Sequence, residues 1–266
     1  MRRCRDCPRR LATALVVLAV LAPFTQARAS AEIGVVVLHG KAGMGGGGNM
    51  VPFIRALERA GFSVQAPTMC WSRTRIYDAP FPDCLREIDT SIAALRAAGA
   101  RRIVVAGQSL GGNAALVYGA QHPELAGVIA LAPAGQPEQS ARNRDIARSL
   151  AQARQMVAAG QGNQRASFAD ISVGEAFTVT TTPAIYVSFF QPGGPADFPA
   201  LLPRVRVPVI WVAGSQDRAQ DMAASLFDRL PANPLNRLVP VAATHRDTPE
   251  AGAAAALDWL RTLPAR

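Results

Sequence analysis

The sequence predicts an α/β fold: a mostly parallel sheet of about six strands with helices on both faces, interrupted by one inserted segment. Three observations carry that expectation. Short apolar runs recur at 33–38, 62–66, 103–106, 128–131, 207–213 and 238–241. Helix-like patterns lie between them, around 50–60, 85–98, 113–121, 219–230 and 249–260. A single long stretch, about 134–203, turns polar and breaks the alternation. Strands that are apolar throughout must be covered on both sides, which is what helices crossing between parallel strands provide.

In chain order, residues 1–29 are set aside first. Arg2, Arg3, Arg5, Arg9 and Arg10 make a basic start, and 11–22 is an apolar run too short to span a bilayer comfortably. Ala27-Arg28-Ala29 or Ala29-Ser30-Ala31 then offers a small-residue cleavage site. The expectation is a signal peptide, with Arg9-Arg10 raising a twin-arginine route, and hence a periplasmic or secreted protein without a stable membrane anchor. Removing it takes away six arginines and one aspartate, so the formal charge falls from +9 to +4. No Lys/Arg cluster with interleaved aromatics remains, and a nucleic-acid partner is not expected. Cys4 and Cys7 leave with the signal. The surviving Cys70 and Cys84, an even count in an oxidising compartment, are read as a disulfide, with two buried free thiols as the alternative. Residues 30–266 are long enough for one large α/β domain.

The first strand ends in His39-Gly40, and Gly43-Met44-Gly45-Gly46-Gly47-Gly48 follows. That loop satisfies Gly-x-Gly-x-x-Gly, which makes a dinucleotide-binding oxidoreductase one reading. The fingerprint also needs an acidic residue about 20 positions on to hold a ribose, and Gln65-Ala66-Pro67-Thr68 supplies none. The loop is therefore expected to be a wall near the site, and neither cofactor nor metal is called for.

Gly107-Gln108-Ser109-Leu110-Gly111-Gly112 joins the strand at 103–106 to the helix at 113–121. Small residues on both sides let strand and helix approach while the serine hydroxyl projects, as a nucleophile elbow requires. A serine is a weak nucleophile until a base removes its proton, and the base is usually a histidine oriented by a carboxylate. Of the three histidines, His39 suits loop shaping and His122, before Pro123-Glu124, suits a helix end. His245, between the last strand and the last helix, could reach over the carboxyl ends of the sheet. Asp217, just past another strand, is the expected acid; it could instead cap the helix near Ala219, leaving Asp221 or Asp247 as substitutes.

Within 134–203 a helix is expected at about 142–159, a Gly/Gln/Asn segment at 160–164, and an apolar piece at 184–190. An insertion of this length over the sheet's C-terminal ends would act as a lid or cap.

On His39-Gly40, Gly107-Gln108-Ser109-Leu110-Gly111, Asp217 and His245, in that order, the chain resembles the α/β-hydrolase family over nearly all of 30–266. Compared with the full eight-stranded family sheet, the first two strands are lacking. The resemblance implies that Ser109 attacks an acyl carbonyl, His245 takes and returns the proton, and Asp217 fixes the imidazole. It also implies an oxyanion hole from the backbone N–H of Leu110 and one from the first loop, Lys41 or, second, Ala42. A carboxylic ester of a small molecule is the default substrate, with thioesters, amides and peptides as alternatives. A non-catalytic, hydrolase-like binding protein is the reading from another class. Trp71, Tyr186 and Phe189, along with Met69, Ile185 and Phe190, suggest an apolar acyl pocket, core packing being the alternative. Arg73 and Arg75 could meet an acidic substrate, solvated loop arginines being the alternative.

Overall fold

The computed structural model describes residues 32–264. The expected signal peptide, with Cys4 and Cys7, lies outside the described residues. Among the described residues no helix is long and apolar enough to cross a membrane.

Eight strands run in order: β1 Ile33–Leu38, β2 Ser63–Gln65, β3 Arg102–Gln108, β4 Gly127–Leu131, β5 Ala166–Ser172, β6 Glu175–Thr181, β7 Val209–Gly214 and β8 Arg237–Val241. Six of them form one sheet in the order β2-β1-β3-β4-β7-β8. Every pair in it is parallel, as the apolar runs predict. Alternate side chains of the strands feed two cores. Val36, Val105, Val128 and Trp211 point into one, and Val35, Val37, Val104 and Ile210 into the other. Helices Phe81–Ala97 and Leu110–Gln121 cover the first face. Helices Val51–Arg59 and Ala253–Thr262 cover the second, through Phe53, Leu57, Trp259 and Leu260.

The chain leaves β1 towards β2 on one side and leaves β3 towards β4 on the other, so strand order reverses between β1 and β3. In an open α/β sheet that reversal opens a crevice at the carboxyl ends of the strands. The loop after β1 and the turn after β3 both border it.

Two helices expected as continuous are broken. A 3-10 turn, Arg218–Gln220, precedes the short helix Ala223–Phe227. The C-terminal helix divides into Thr248–Ala251 and Ala253–Thr262 at Gly252, where a Cβ would stand 2.7 Å from Val212 Cγ1 of β7. The chain there needs a glycine to lie against the sheet, and the helix restarts beyond it.

The insertion is more ordered than its composition suggests. Helices Pro137–Ser140 and Arg144–Ala158 come first, and Asn143 accepts hydrogen bonds from the N–H groups of Asp145 and Ile146 to cap the second. The apolar piece is the helix Pro183–Phe190, and Phe198–Leu201 follows. Between 166 and 181, where no strand was expected, β5 and β6 form an antiparallel hairpin. Ser172 pairs with Glu175, leaving Val173-Gly174 as a two-residue turn with φ of +51° and +83°. Positive φ at both positions is what a type I′ hairpin turn demands. Cys70 and Cys84 are bonded, with Cα atoms 5.7 Å apart, and tie the segment after β2 to helix Phe81–Ala97.

Candidate active site

Ser109 stands at the tip of the turn from β3 into helix Leu110–Gln121, with φ +57° and ψ −120°. A non-glycine residue in this region carries backbone strain of about 1–3 kcal/mol and persists only where its surroundings hold it. They do so here through the main chain. The Ser109 N–H donates to the Leu131 carbonyl at 3.0 Å, and the Ser109 carbonyl accepts from Ala134 N–H at 3.1 Å. Crowding explains the flanking glycines. A Cβ at Gly107 would lie 2.1 Å from the Gly111 carbonyl oxygen, and one at Gly111 2.4 Å from that of Leu38. Strand, turn and helix thus meet backbone to backbone.

The structure brings Ser109, His245 and Asp217 together. His245 Nδ1 lies 2.6 Å from Asp217 Oδ2, and Nε2 lies 2.9 Å from Ser109 Oγ. A carboxylate only accepts, so Nδ1 carries the proton and donates to Asp217, which leaves Nε2 to accept from the Ser109 hydroxyl. Asp217 fills both roles that its position suggests, because its second oxygen accepts the Ala219 N–H at 3.0 Å and caps the 3-10 turn. Neither Asp221 nor Asp247 makes a side-chain hydrogen bond to His245. The loops carrying acid and base are packed together: Ser215 N–H donates to the Val241 carbonyl and Gln216 N–H to that of Ala243. Gln108, beside the serine, donates from Nε2 to the His245 carbonyl at 3.0 Å. Such an arrangement can move the serine proton to the imidazole and hold the imidazolium that results.

His39 and His122 lie outside this chain. Met69 N–H donates to His39 Nε2 at 3.0 Å and Nδ1–H donates to the Gly40 carbonyl at 2.7 Å, so the ring is neutral and holds the loop. Burial pushes its proton affinity down, in keeping with that role. His122 stacks on Tyr118 at 3.9 Å and pairs with Glu124.

For an oxyanion, the two expected first-loop donors separate. Gly40 to Gly43 form a tight turn closed by Gly43 N–H to the Gly40 carbonyl at 3.0 Å, with φ +54° at Ala42. Ala42 N–H donates to the Trp71 carbonyl at 3.0 Å, which removes it from consideration. Lys41 N–H and Leu110 N–H have no backbone acceptor among the described residues. The Lys41 side chain is anchored elsewhere. Its ammonium donates to Asp170 Oδ1 at 2.6 Å and to the Ile171 carbonyl at 2.9 Å, and Tyr77 donates to Asp170 Oδ2 at 2.8 Å. Asp170 is fully buried on β5, so the pair joins the first loop to the inserted hairpin. Nothing in the isolated sequence pairs residues 129 positions apart; only the hidden strand alternation at 166–172 could have placed Asp170 inward.

Ser109 and His245 line a cleft of about 670 Å³. One wall is the loop 40–49, and the other is the hairpin tip, from Ser172 to Phe177. Gly45 of the loop has a packing reason, since a Cβ there would lie 2.5 Å from the Ala66 carbonyl oxygen, whereas Gly46 and Gly48 take positive φ. The named apolar-pocket candidates do not line the cleft. Trp71, Tyr186 and Phe189 are at most 4% exposed. Tyr186 stacks on Phe168 and Phe190, and Phe189 packs edge-on to Tyr77 and Phe81, so these rings glue the insertion to the domain instead. The two arginines also part ways. Arg75 is consumed by a bidentate pair with Glu87 at 2.7 Å and by Asp78, whereas Arg73 lines the cleft. Arg246, which the sequence did not single out, lines it as well.

A parallel sheet with a serine elbow and a following acid and histidine defines an α/β hydrolase, and the sequence agrees. The profile of the alpha/beta hydrolase family matches residues 35–256, and the chain belongs to that family. Among solved structures, one described for the metagenome-derived lipolytic enzymes LipS and LipT is similar at 22% identity. The match covers 85% of this chain and 91% of that one, with a TM-score of 0.63. The monoacylglycerol lipase of Paleococcus ferrophilus is similar at 19% identity, over 87% of this chain and 95% of that one, with a TM-score of 0.66. The thioesterase domain from the curacin biosynthetic pathway is similar at 14% identity, over 87% and 92%, with a TM-score of 0.57. At such identities the likeness is one of fold. No curated protein sequence matches the chain.

Proposed function

We propose that this hydrolase is an exported serine esterase that cleaves a carboxylic ester of a small molecule through an acyl-enzyme on Ser109. The observation that carries the reading is the hydrogen-bond chain from Ser109 through His245 to Asp217 at the mouth of the cleft. Ser109 Oγ attacks the ester carbonyl as its proton passes to His245 Nε2, and Asp217 holds the imidazolium. The tetrahedral oxyanion is met by the N–H groups of Leu110 and Lys41, two donors already fixed by backbone that need no reorganisation. Collapse breaks the bond to the alcohol, which leaves with the proton from His245. Water, deprotonated by the same nitrogen, then attacks the acyl carbonyl and releases the acid and Ser109. The hairpin and its neighbours act as a cap over the crevice. A buried disulfide and the basic, apolar start of the chain both support export to the periplasm or beyond.

Labelling with a fluorophosphonate probe tests the reading, with Ser109→Ala as control. Covalent modification of the folded protein that disappears in Ser109→Ala is expected, together with turnover of p-nitrophenyl esters. Folded protein that neither takes the probe at Ser109 nor cleaves any ester would overturn it in favour of a binding protein on a hydrolase scaffold.

A further inference from the structure

Resting on the esterase reading, the geometry points to a substrate class: we propose that the cleft selects esters bearing a carboxylate, held by Arg73 and Arg246. The cleft walls are mixed: Phe177, Met44 and Val173 give apolar surface, and glycines, Gln108, Asn49 and Ser172 line it beside them. Trp71, Tyr186 and Phe189 lie in the core instead. Such mixed walls leave room for a polar group on the substrate, which wholly apolar walls would penalise.

Charge then chooses among polar substrates. Three cations line the cleft, Lys41, Arg73 and Arg246, against one carboxylate, Glu175. Lys41 is already neutralised by the buried Asp170. Among the described residues, neither Arg73 nor Arg246 has a carboxylate within ion-pair distance, which leaves their side chains one charge in excess of Glu175. Arg75, two positions from Arg73, shows the contrast, since three carboxylate oxygens take up its guanidinium.

Both arginines are also tethered by their main chains to the cleft wall. Arg73 N–H donates to the Gly43 carbonyl at 3.1 Å. The Arg246 carbonyl accepts from Asn49 Nδ2 at 2.9 Å, and the residue directly follows His245. Arg73 is thus held against the glycine loop and Arg246 beside the base, and both residues line the cleft. A planar guanidinium binds a carboxylate with two parallel N–H donors, which a neutral ester cannot use.

The test compares kcat/KM for matched pairs of esters. Mono-4-nitrophenyl succinate against 4-nitrophenyl butyrate places the carboxylate on the acyl side, and 4-acetoxybenzoate against its methyl ester places it on the alcohol side. The proposal expects at least one charged ester to be preferred by about tenfold at low ionic strength, the size of one charge-assisted hydrogen bond. That preference should shrink as salt is raised, and should fall at least about threefold in Arg73→Gln or Arg246→Gln but not in the control Arg55→Gln, which lies outside the cleft. Equal or better use of the neutral ester in both pairs would overturn the proposal while leaving the esterase standing. So would a preference that survives both substitutions and high salt. If a variant fails to fold, the salt series on the unaltered protein still decides. Failure to turn over all four esters, with no fluorophosphonate label on Ser109, strikes the esterase reading itself and this inference with it.

Discussion

The serine turn and the hairpin wall of the cleft are held by different means. The turn carrying Ser109 is fixed by main chain: glycines 107 and 111 bring backbones into contact, and peptide hydrogen bonds from β4 and the following loop lock the serine at φ +57°. The hairpin wall is fixed by side chains. Asp170 clamps Lys41 and Tyr77, Tyr186 donates to the Ala169 carbonyl, and stacked rings fill the space behind. Reaction geometry thus rests on backbone crowding that tolerates almost no change. The hairpin rests on side-chain packing behind it, so its cleft-facing tip, Ser172 to Phe177, can change without disturbing the serine turn.

The largest expected effect belongs to the serine turn. Ser109→Ala should lower ester turnover by a factor on the order of 10⁴ or more. Because the turn is held by backbone, unfolding free energy should shift by less than about 1 kcal/mol, as read by chemical denaturation. A rate loss below tenfold would place the chemistry elsewhere.

On the hairpin wall, Asp170→Asn should do the reverse in kind, costing stability first. It strands a Lys41 ammonium that is only 11% exposed, and breaking such a pair costs about 3–5 kcal/mol. Because Lys41 is also the proposed second oxyanion donor, kcat should fall more than KM changes. A stability loss under about 1 kcal/mol, with unaltered kcat, would mean that the hairpin is not coupled to the first loop. Reduction of Cys70–Cys84 should cost about 3 kcal/mol for a loop of this length, measured as a lower denaturation midpoint in reductant. The smallest effect should be a gain. Val173 is a β-branched residue at φ +51° and 54% exposed, so Val173→Asn should stabilise the turn by about 0.5–1 kcal/mol.

The same division explains what the sequence made legible. The sheet and the site on it depend on local signals: apolar runs, a glycine-flanked serine, and an acid and a histidine after later strands. Each could be read in place, and Asp217 also fills the competing role of a cap. The insertion depends on which way side chains face, and composition is silent on that. Phe177-Thr178-Val179-Thr180-Thr181 has strand character, and Val173-Gly174 has the length of a hairpin turn, yet the polar surroundings masked both. Trp71, Tyr186 and Phe189 looked like pocket residues because they are aromatic and near the crevice in the chain. Burial in the seam between insertion and domain put them out of its reach. What separates Lys41 from Ala42 as proposed donors is one hydrogen bond from Ala42 to Trp71, a contact across 29 positions that no motif encodes.

The central claim is that Ser109 becomes acylated. Acid-quenching the protein during turnover of an ester, then mapping peptides by mass spectrometry, tests it most directly. The acyl mass is expected on the peptide containing Ser109, at a level that rises within the first turnover and is lost in Ser109→Ala. Steady turnover with Ser109 unmodified, or the acyl group on another residue, would contradict it.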